Sequence, residues 1–151
     1  MSLTQRIADD TKAALLGGNR FVGETLRNLK AAILNEEVAA GKRDEGLSDE
    51  EVEKVIAREV KKRSESARMY RENNRIDLAE PEERELEVLK AYLPEQMSEV
   101  DIRAIIDKKI AELDARSPQD MGKVIGVVKQ LTGNKADGAM VAKLVKEMLT
   151  K

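Results

Sequence analysis

Residues 121–149 read MGKVIGVVKQLTGNKADGAMVAKLVKEML, a helix, a glycine-containing turn and a second helix. On a period of 3.6 the first helix has two unlike faces. Met121, Val124, Ile125, Val127, Val128 and Leu131 fall on one side. Gly122, Gly126, Lys123, Lys129 and Gln130, with Gln119 just upstream, fall on the other. A glycine inside a helix costs roughly 1 kcal/mol relative to alanine, so a pair of them calls for a packing or functional reason. Two readings fit. Gly122-x-x-x-Gly126 is a small-residue packing motif that could seat another helix of this chain. Alternatively, a face without Cβ atoms that also carries lysines lets a foreign backbone, peptide or nucleic acid, approach the helix axis.

The turn has its own chemistry. Gly133 suits the left-handed position that ends a helix, and Asp137 suits the N-cap of the next one. Lys135 is then held at the tip. The last helix turns Val141, Leu144, Val145, Met148 and Leu149 inward and leaves Lys143 and Lys146 elsewhere.

Working upstream, the punctuation predicts seven helical segments. The first spans Leu3 to Leu16, with Leu3, Ile7, Ala14 and Leu15 as its apolar stripe and Gly17-Gly18 as its stop. The second spans Arg20 to Ala40, with Val22, Leu26, Leu29 and Ile33 facing a core. A polar loop follows. Ser48 with Glu51 is a capping box that opens a long third helix running to about Glu72. Asn73-Asn74 breaks it, Arg75 to Glu80 connects, and Pro81 fits the first turn of a fourth helix that points Leu86, Leu89 and Tyr92 inward. Tyr92-Leu93-Pro94 ends that helix, and Pro94 to Met97 is a linker. Ser98 with Asp101 starts the fifth helix, whose apolar side is Ile102, Ile105, Ile106 and Ile110. Ser117-Pro118 opens the sixth. The expected organisation is an N-terminal helical bundle over residues 1–94 and a small three-helix part over 98–151.

Composition agrees with an all-α protein. Long stretches of Ala, Glu, Lys, Leu and Arg with three prolines point that way. Aromatic residues are 2% of the chain, so the core must be aliphatic. With no cysteine there is no disulfide framework or thiolate metal site, and with no histidine the commonest general base is missing. No phosphate-cradling loop or dinucleotide fingerprint is present, and no cofactor or metal is expected. The paired carboxylates Asp9-Asp10, Glu36-Glu37 and Glu82-Glu83 read as surface in a chain with 29 acidic residues. No catalytic residues are assigned. The N-terminus is polar and unlike a signal peptide, and no run is long and apolar enough to span a membrane, so a cytoplasmic setting is expected.

Charge is unevenly spread. Residues 1–95 carry 17 basic and 21 acidic side chains, whereas Met121 to Lys151 holds six lysines against Asp137 and Glu147. Arg58 to Arg75 forms a second basic run, seven basic residues against three acidic. That run is either a face laced by Glu59, Glu65 and Glu72 at salt-bridge spacing or a patch for an acidic partner. Phe21, Tyr70 and Tyr92 are not clustered, which argues against base stacking. The lysine tail with its glycines is compatible with salt-sensitive contact to a phosphate backbone.

The residues G-K-V-I-G-x-V-K from Gly122, followed by N-K-A-D-G and a short Val/Leu/Lys helix, resemble the C-terminal signature of the GatB/YqeY family. Leu26-Arg27, Ala31-Ala32-Ile33 and Asn35-Glu36 resemble its first long helix. Arg75-x-Asp77-Leu78, Glu85-Leu86, Leu89 and Tyr92-Leu93-Pro94-x-Gln96 resemble its central hinge. Ile125 stands where the family often has Met, and Thr132-Gly133-Asn134-Lys135 where it has a Lys-Gly-Arg/Lys turn. The resemblance covers nearly the whole chain and suggests the free-standing YqeY type. It implies a relation to the tail of the tRNA-dependent amidotransferase B subunit. tRNA would then be the partner, with an amidotransferase or aminoacyl-tRNA synthetase alongside and carbon–nitrogen ligation performed elsewhere. The residues implied in RNA contact are Lys123, Lys129 and Lys135, with Gly122 and Gly126 permitting approach. A helical protein–protein adaptor using the same face is the alternative.

Overall fold

The computed structural model describes residues 1–150, and no strand occurs among them. The chain is all-α, with the order α1 (Leu3–Leu16), α2 (Arg20–Ala39), α3 (Asp49–Glu72), α4 (Ile76–Lys90), α5 (Glu99–Glu112), α6 (Met121–Thr132) and α7 (Gly138–Leu149). Short 3₁₀ turns over Pro118–Asp120 and Gly133–Lys135 precede and follow α6. The chain divides into two compact units, residues 1–93 and the part from Pro94 onward.

In the N-terminal unit, side-chain caps set the helix starts. The Ser2 hydroxyl accepts from the Gln5 amide at 3.1 Å. At α3 the capping box forms in both directions: Glu51 N–H donates to Ser48 Oγ at 3.2 Å, and Ser48 N–H to Glu51 Oε2 at 2.8 Å. Ile7, Leu26, Leu29, Val52, Ile56 and Leu89 are fully buried in one aliphatic core. The stripe expected on α1 is shifted. Leu15 is 37% exposed and lies over Gly23, where a Cβ would stand 2.4 Å from its Cδ2. Thr11 takes the buried place instead. Its hydroxyl donates to the Ile7 carbonyl at 2.6 Å, so the polar atom is satisfied inside the helix.

The start of α4 is also corrected. The helix begins at Ile76, and Pro81 lies within it rather than in its first turn. Asn74 adopts φ +59°, which reverses the chain at once, and the Arg75 carbonyl accepts from the Ala79 amide at 3.0 Å. Ala79 is fully buried, so packing anchors the opening turn. Pro81 is exposed, and it leaves the Asp77 carbonyl without its usual i+4 donor. At the other end, the Tyr92 hydroxyl donates to Asp10 Oδ2 at 2.6 Å, with the Arg6 guanidinium 4.9 Å from the ring centroid. Burial, then the bond to Asp10, pushes the Tyr92 phenol well above its ordinary pKa.

The C-terminal unit has a separate core of Ile102, Ile106, Val124, Val128, Val141 and Val145. The Ser98 hydroxyl accepts from Asp101 N–H at 3.1 Å and caps α5. Ser117 and Pro118 open the 3₁₀ turn, and the α-helix proper starts three residues later at Met121. Asp120 holds that entry by accepting from the Arg116 and Ser117 amides, which lowers its carboxyl pKa.

Candidate nucleic-acid interface

The inner face of α6 is narrower than the sequence pattern suggested. Val124, Val128 and Thr132 are buried, and Met121 and Ile125 pack partly against the core. Leu131 is turned outward and 57% exposed. As on α1, a threonine replaces a leucine inside: the Thr132 hydroxyl donates to the Val128 carbonyl at 3.1 Å.

The opposite face tests the packing reading of the glycine pair. Gly122 and Gly126 are exposed. A Cβ built on either meets no atom within 4 Å beyond the local helix backbone and chain neighbours. No element of the C-terminal unit packs on Gly122-x-x-x-Gly126, so packing against this unit's own helices is not what the glycines provide.

Lys123 and Lys129 border this open face, and Lys135 extends it into the turn. All three are exposed and make no ion pair among the described residues. Lys143 and Lys146 on α7 are likewise exposed and make no ion pair among the described residues. Three other cations of this unit are paired, Arg103 with Glu99 and Glu147, Lys109 with Glu112, and Arg116 with Asp114, while Lys108 is exposed and makes no salt bridge among the described residues.

The turn is tightly specified. Gly133 has φ +52° and ψ −133°, so its φ is positive as expected, but its ψ belongs to a region open to glycine rather than to the left-handed helical cap. Asp137 caps α7 by accepting from the Ala139 amide at 3.2 Å. Two residues that the sequence places in the linker are structural here. Met97 N–H donates to the Lys135 carbonyl at 2.8 Å, and the Gln96 amide donates to the Asn134 carbonyl at 3.0 Å. The end of the linker thus clamps the turn that presents Lys135. The Lys129 stem lies across Gly138, its Cε 3.2 Å and Nζ 3.4 Å from where a Cβ would sit. Gly138 therefore makes room for Lys129 at the first turn of α7, where a helix end itself favours anions. The glycine of N-K-A-D-G was the available signal for this contact.

The Arg58–Arg75 run gives the opposite result. Arg58 pairs with Glu36, Arg63 with Glu59 and Glu85, Arg71 with Glu83, and Arg75 with Asp77. Arg68 and Lys62 bond to Glu72 and Glu59 within α3. Six of the seven cations in the run are thus paired, and Lys61 alone makes no salt bridge among the described residues.

The family model described as Yqey-like protein matches residues 4–149. The chain belongs to the YqeY-like family. The YqeY-like resemblance of the hinge and tail is thereby shown for nearly the full length. Curated relatives that it matches carry the name Altered inheritance of mitochondria protein 41, mitochondrial. The one from Clavispora lusitaniae is 34% identical over 92 residues, 61% of this chain and 52% of its own length. That from Lachancea thermotolerans is 31% identical over 111 residues, covering 72% and 58%. That from Pyrenophora tritici-repentis is 27% identical over 148 residues, covering 95% and 79%. The chain spans somewhat over half the length of the first two. No helix among the described residues is long and apolar enough to cross a membrane.

Proposed function

We propose that this YqeY-like chain is an accessory tRNA-binding module with no chemistry of its own. It contacts the RNA backbone through the glycine/lysine face of α6 and the clamped turn. The observation that carries the reading is the pairing of two open helical glycines with exposed lysines that make no salt bridge among the described residues. Lys123, Lys129 and Lys135 contact phosphates, and Gly122 and Gly126 let the sugar–phosphate chain approach the helix axis. Lys129 adds its ammonium to the anion-favouring start of α7. With no aromatic residue after Tyr92, recognition rests on shape and phosphate rather than stacked bases. The module acts beside an amidotransferase or aminoacyl-tRNA synthetase, in keeping with its resemblance to the amidotransferase tail. Its setting is the cytoplasm expected from the sequence; the mitochondrial compartment in the relatives' names would leave the contact chemistry unchanged.

The adaptor reading, in which this face seats a partner helix, draws on exposed Leu131 beside the glycine face. Salt separates the two. Anisotropy titrations of tRNA, with duplex DNA of equal length as control, are expected to show saturable binding that prefers tRNA. Three phosphate contacts correspond to a log–log salt slope of roughly −2 to −3. Lys123→Ala with Lys129→Ala lowers the slope magnitude by about 2. Binding of tRNA that is absent at low salt, or unchanged in this folded double variant, overturns the reading.

A further inference from the structure

We propose that the groove between α2 and α4 in the N-terminal unit docks a basic amphipathic helix of a partner protein. The groove is shallow, about 460 Å³, and lies between Phe21 and Val22 on α2 and Glu80, Glu83, Arg84, Glu87 and Val88 on α4. Its accessible lining is mainly apolar, while Glu80, Glu83 and Glu87 recur at i, i+3 and i+7 along one edge. Ile76, one turn before Glu80 on the same edge, is 52% exposed and extends the apolar surface. With Arg84 counted, the lining holds three carboxylates and one cation.

The cation identifies the ligand chemistry. The guanidinium of Arg84 sits 4.1 Å from the centroid of the Phe21 ring, so the ring face already serves as a cation platform. Arg84 makes no ion pair among the described residues and occupies the ring as a replaceable group. A partner lysine or arginine displaces it, and Arg84 turns to Glu80 or Glu87 at i−4 or i+3. Neighbouring apolar side chains of the partner then fill the floor, the helix-in-groove mode. Glu83 is engaged by Arg71 and Glu87 faces Lys90 at 3.8 Å, but exposed pairs of this kind are weak enough for an incoming charge to compete. Phosphates would be repelled by the same edge, so a nucleic acid is a poor occupant.

The test uses the full chain and a synthetic leucine/lysine peptide roughly five helical turns long, with a leucine/glutamate twin as control. Amide NMR shifts are expected at residues 21–22 and 76–88 with the basic peptide and none with the acidic one. Phe21→Ala weakens binding about tenfold, and Arg84→Ala, which vacates the ring, tightens it several-fold. Glu80→Gln with Glu87→Gln weakens binding even if Phe21→Ala fails to fold, and Glu65→Gln on α3 leaves it unchanged. Shifts scattered over other acidic faces, or weaker binding by Arg84→Ala, overturn the proposal.

Discussion

Replacing Gly122 and Gly126 by alanine is expected to make the protein more stable and a poorer tRNA binder. Both glycines sit in α6 without positive φ, and an added Cβ meets open space. The only folded-state consequence is therefore the gain in helix propensity, about 1 kcal/mol for a residue in a helix interior. Gly126 is mid-helix and gains that in full. Gly122 is the second residue of α6, where the gain is smaller. Together they add about 1–2 kcal/mol to the C-terminal unit. For a unit of this size that raises its melting temperature by about 5–10 °C. Calorimetry of the full chain reads this directly. In tRNA titrations the same variants are expected to bind about tenfold more weakly, because two methyl groups stand between the RNA backbone and the helix axis. Destabilisation would refute the claim that nothing in the chain uses the glycine face. Stabilised variants that bind tRNA as well as the parent would refute the claim that close approach is why glycine is there.

Other substitutions probe the scaffold. Gln96→Ala removes the donor to the Asn134 carbonyl and is expected to cost about 0.5–1.5 kcal/mol, with faster hydrogen exchange at Met97 as the turn loosens. Tyr92→Phe deletes the bond to Asp10 and should lower stability of the N-terminal unit by about 1–2 kcal/mol in urea titrations while leaving tRNA affinity intact. Ser48→Ala breaks the capping box of α3 at a cost of about 1 kcal/mol, seen by the same titration. Glu51 has its pKa lowered by Lys42 and then by the Ser48 backbone. A depressed folded-state value means its contribution is present above the ordinary glutamate pKa and is lost as pH falls through the folded one. Glu51→Gln should therefore flatten the acid limb of the stability profile.

Much of the fold was legible because its boundaries rest on local chemistry. Ser48 with Glu51, Ser98, Asp137 and Gly133 mark helix ends through groups within a few residues, and such interactions can be read from the chain. The misreadings share a cause. Leu15 and Leu131 look like core residues by period, yet each lies in the last turn or so of its helix. There a threonine that can bond back to its own i−4 carbonyl takes the buried place. Pro81 suggests a helix start because proline is common there, but the helix begins five residues earlier at Ile76, with Ala79 fully buried in its first turns. Packing of that kind depends on residues far away in sequence.

The two basic runs show the same limit at the level of function. In sequence the Arg58–Arg75 run is the denser cluster. Its key partners, Glu36 for Arg58, Glu85 for Arg63 and Glu83 for Arg71, lie 22, 22 and 12 residues away, so no i,i+4 rule reveals that these charges are spent inside the fold. The tail lysines are fewer, but the acidic side chains within Met121 to Lys151 are Asp137 and Glu147, with Asp120 just upstream acting on Lys123. Asp137 is committed to capping α7 and Glu147 to Arg103. A lysine with no salt bridge among the described residues meets an incoming phosphate directly, whereas an arginine in an exposed pair must first exchange a contact, though a weak one. The availability of charge, not its density along the chain, is the reason for proposing the α6 face rather than the α3 face as the RNA contact.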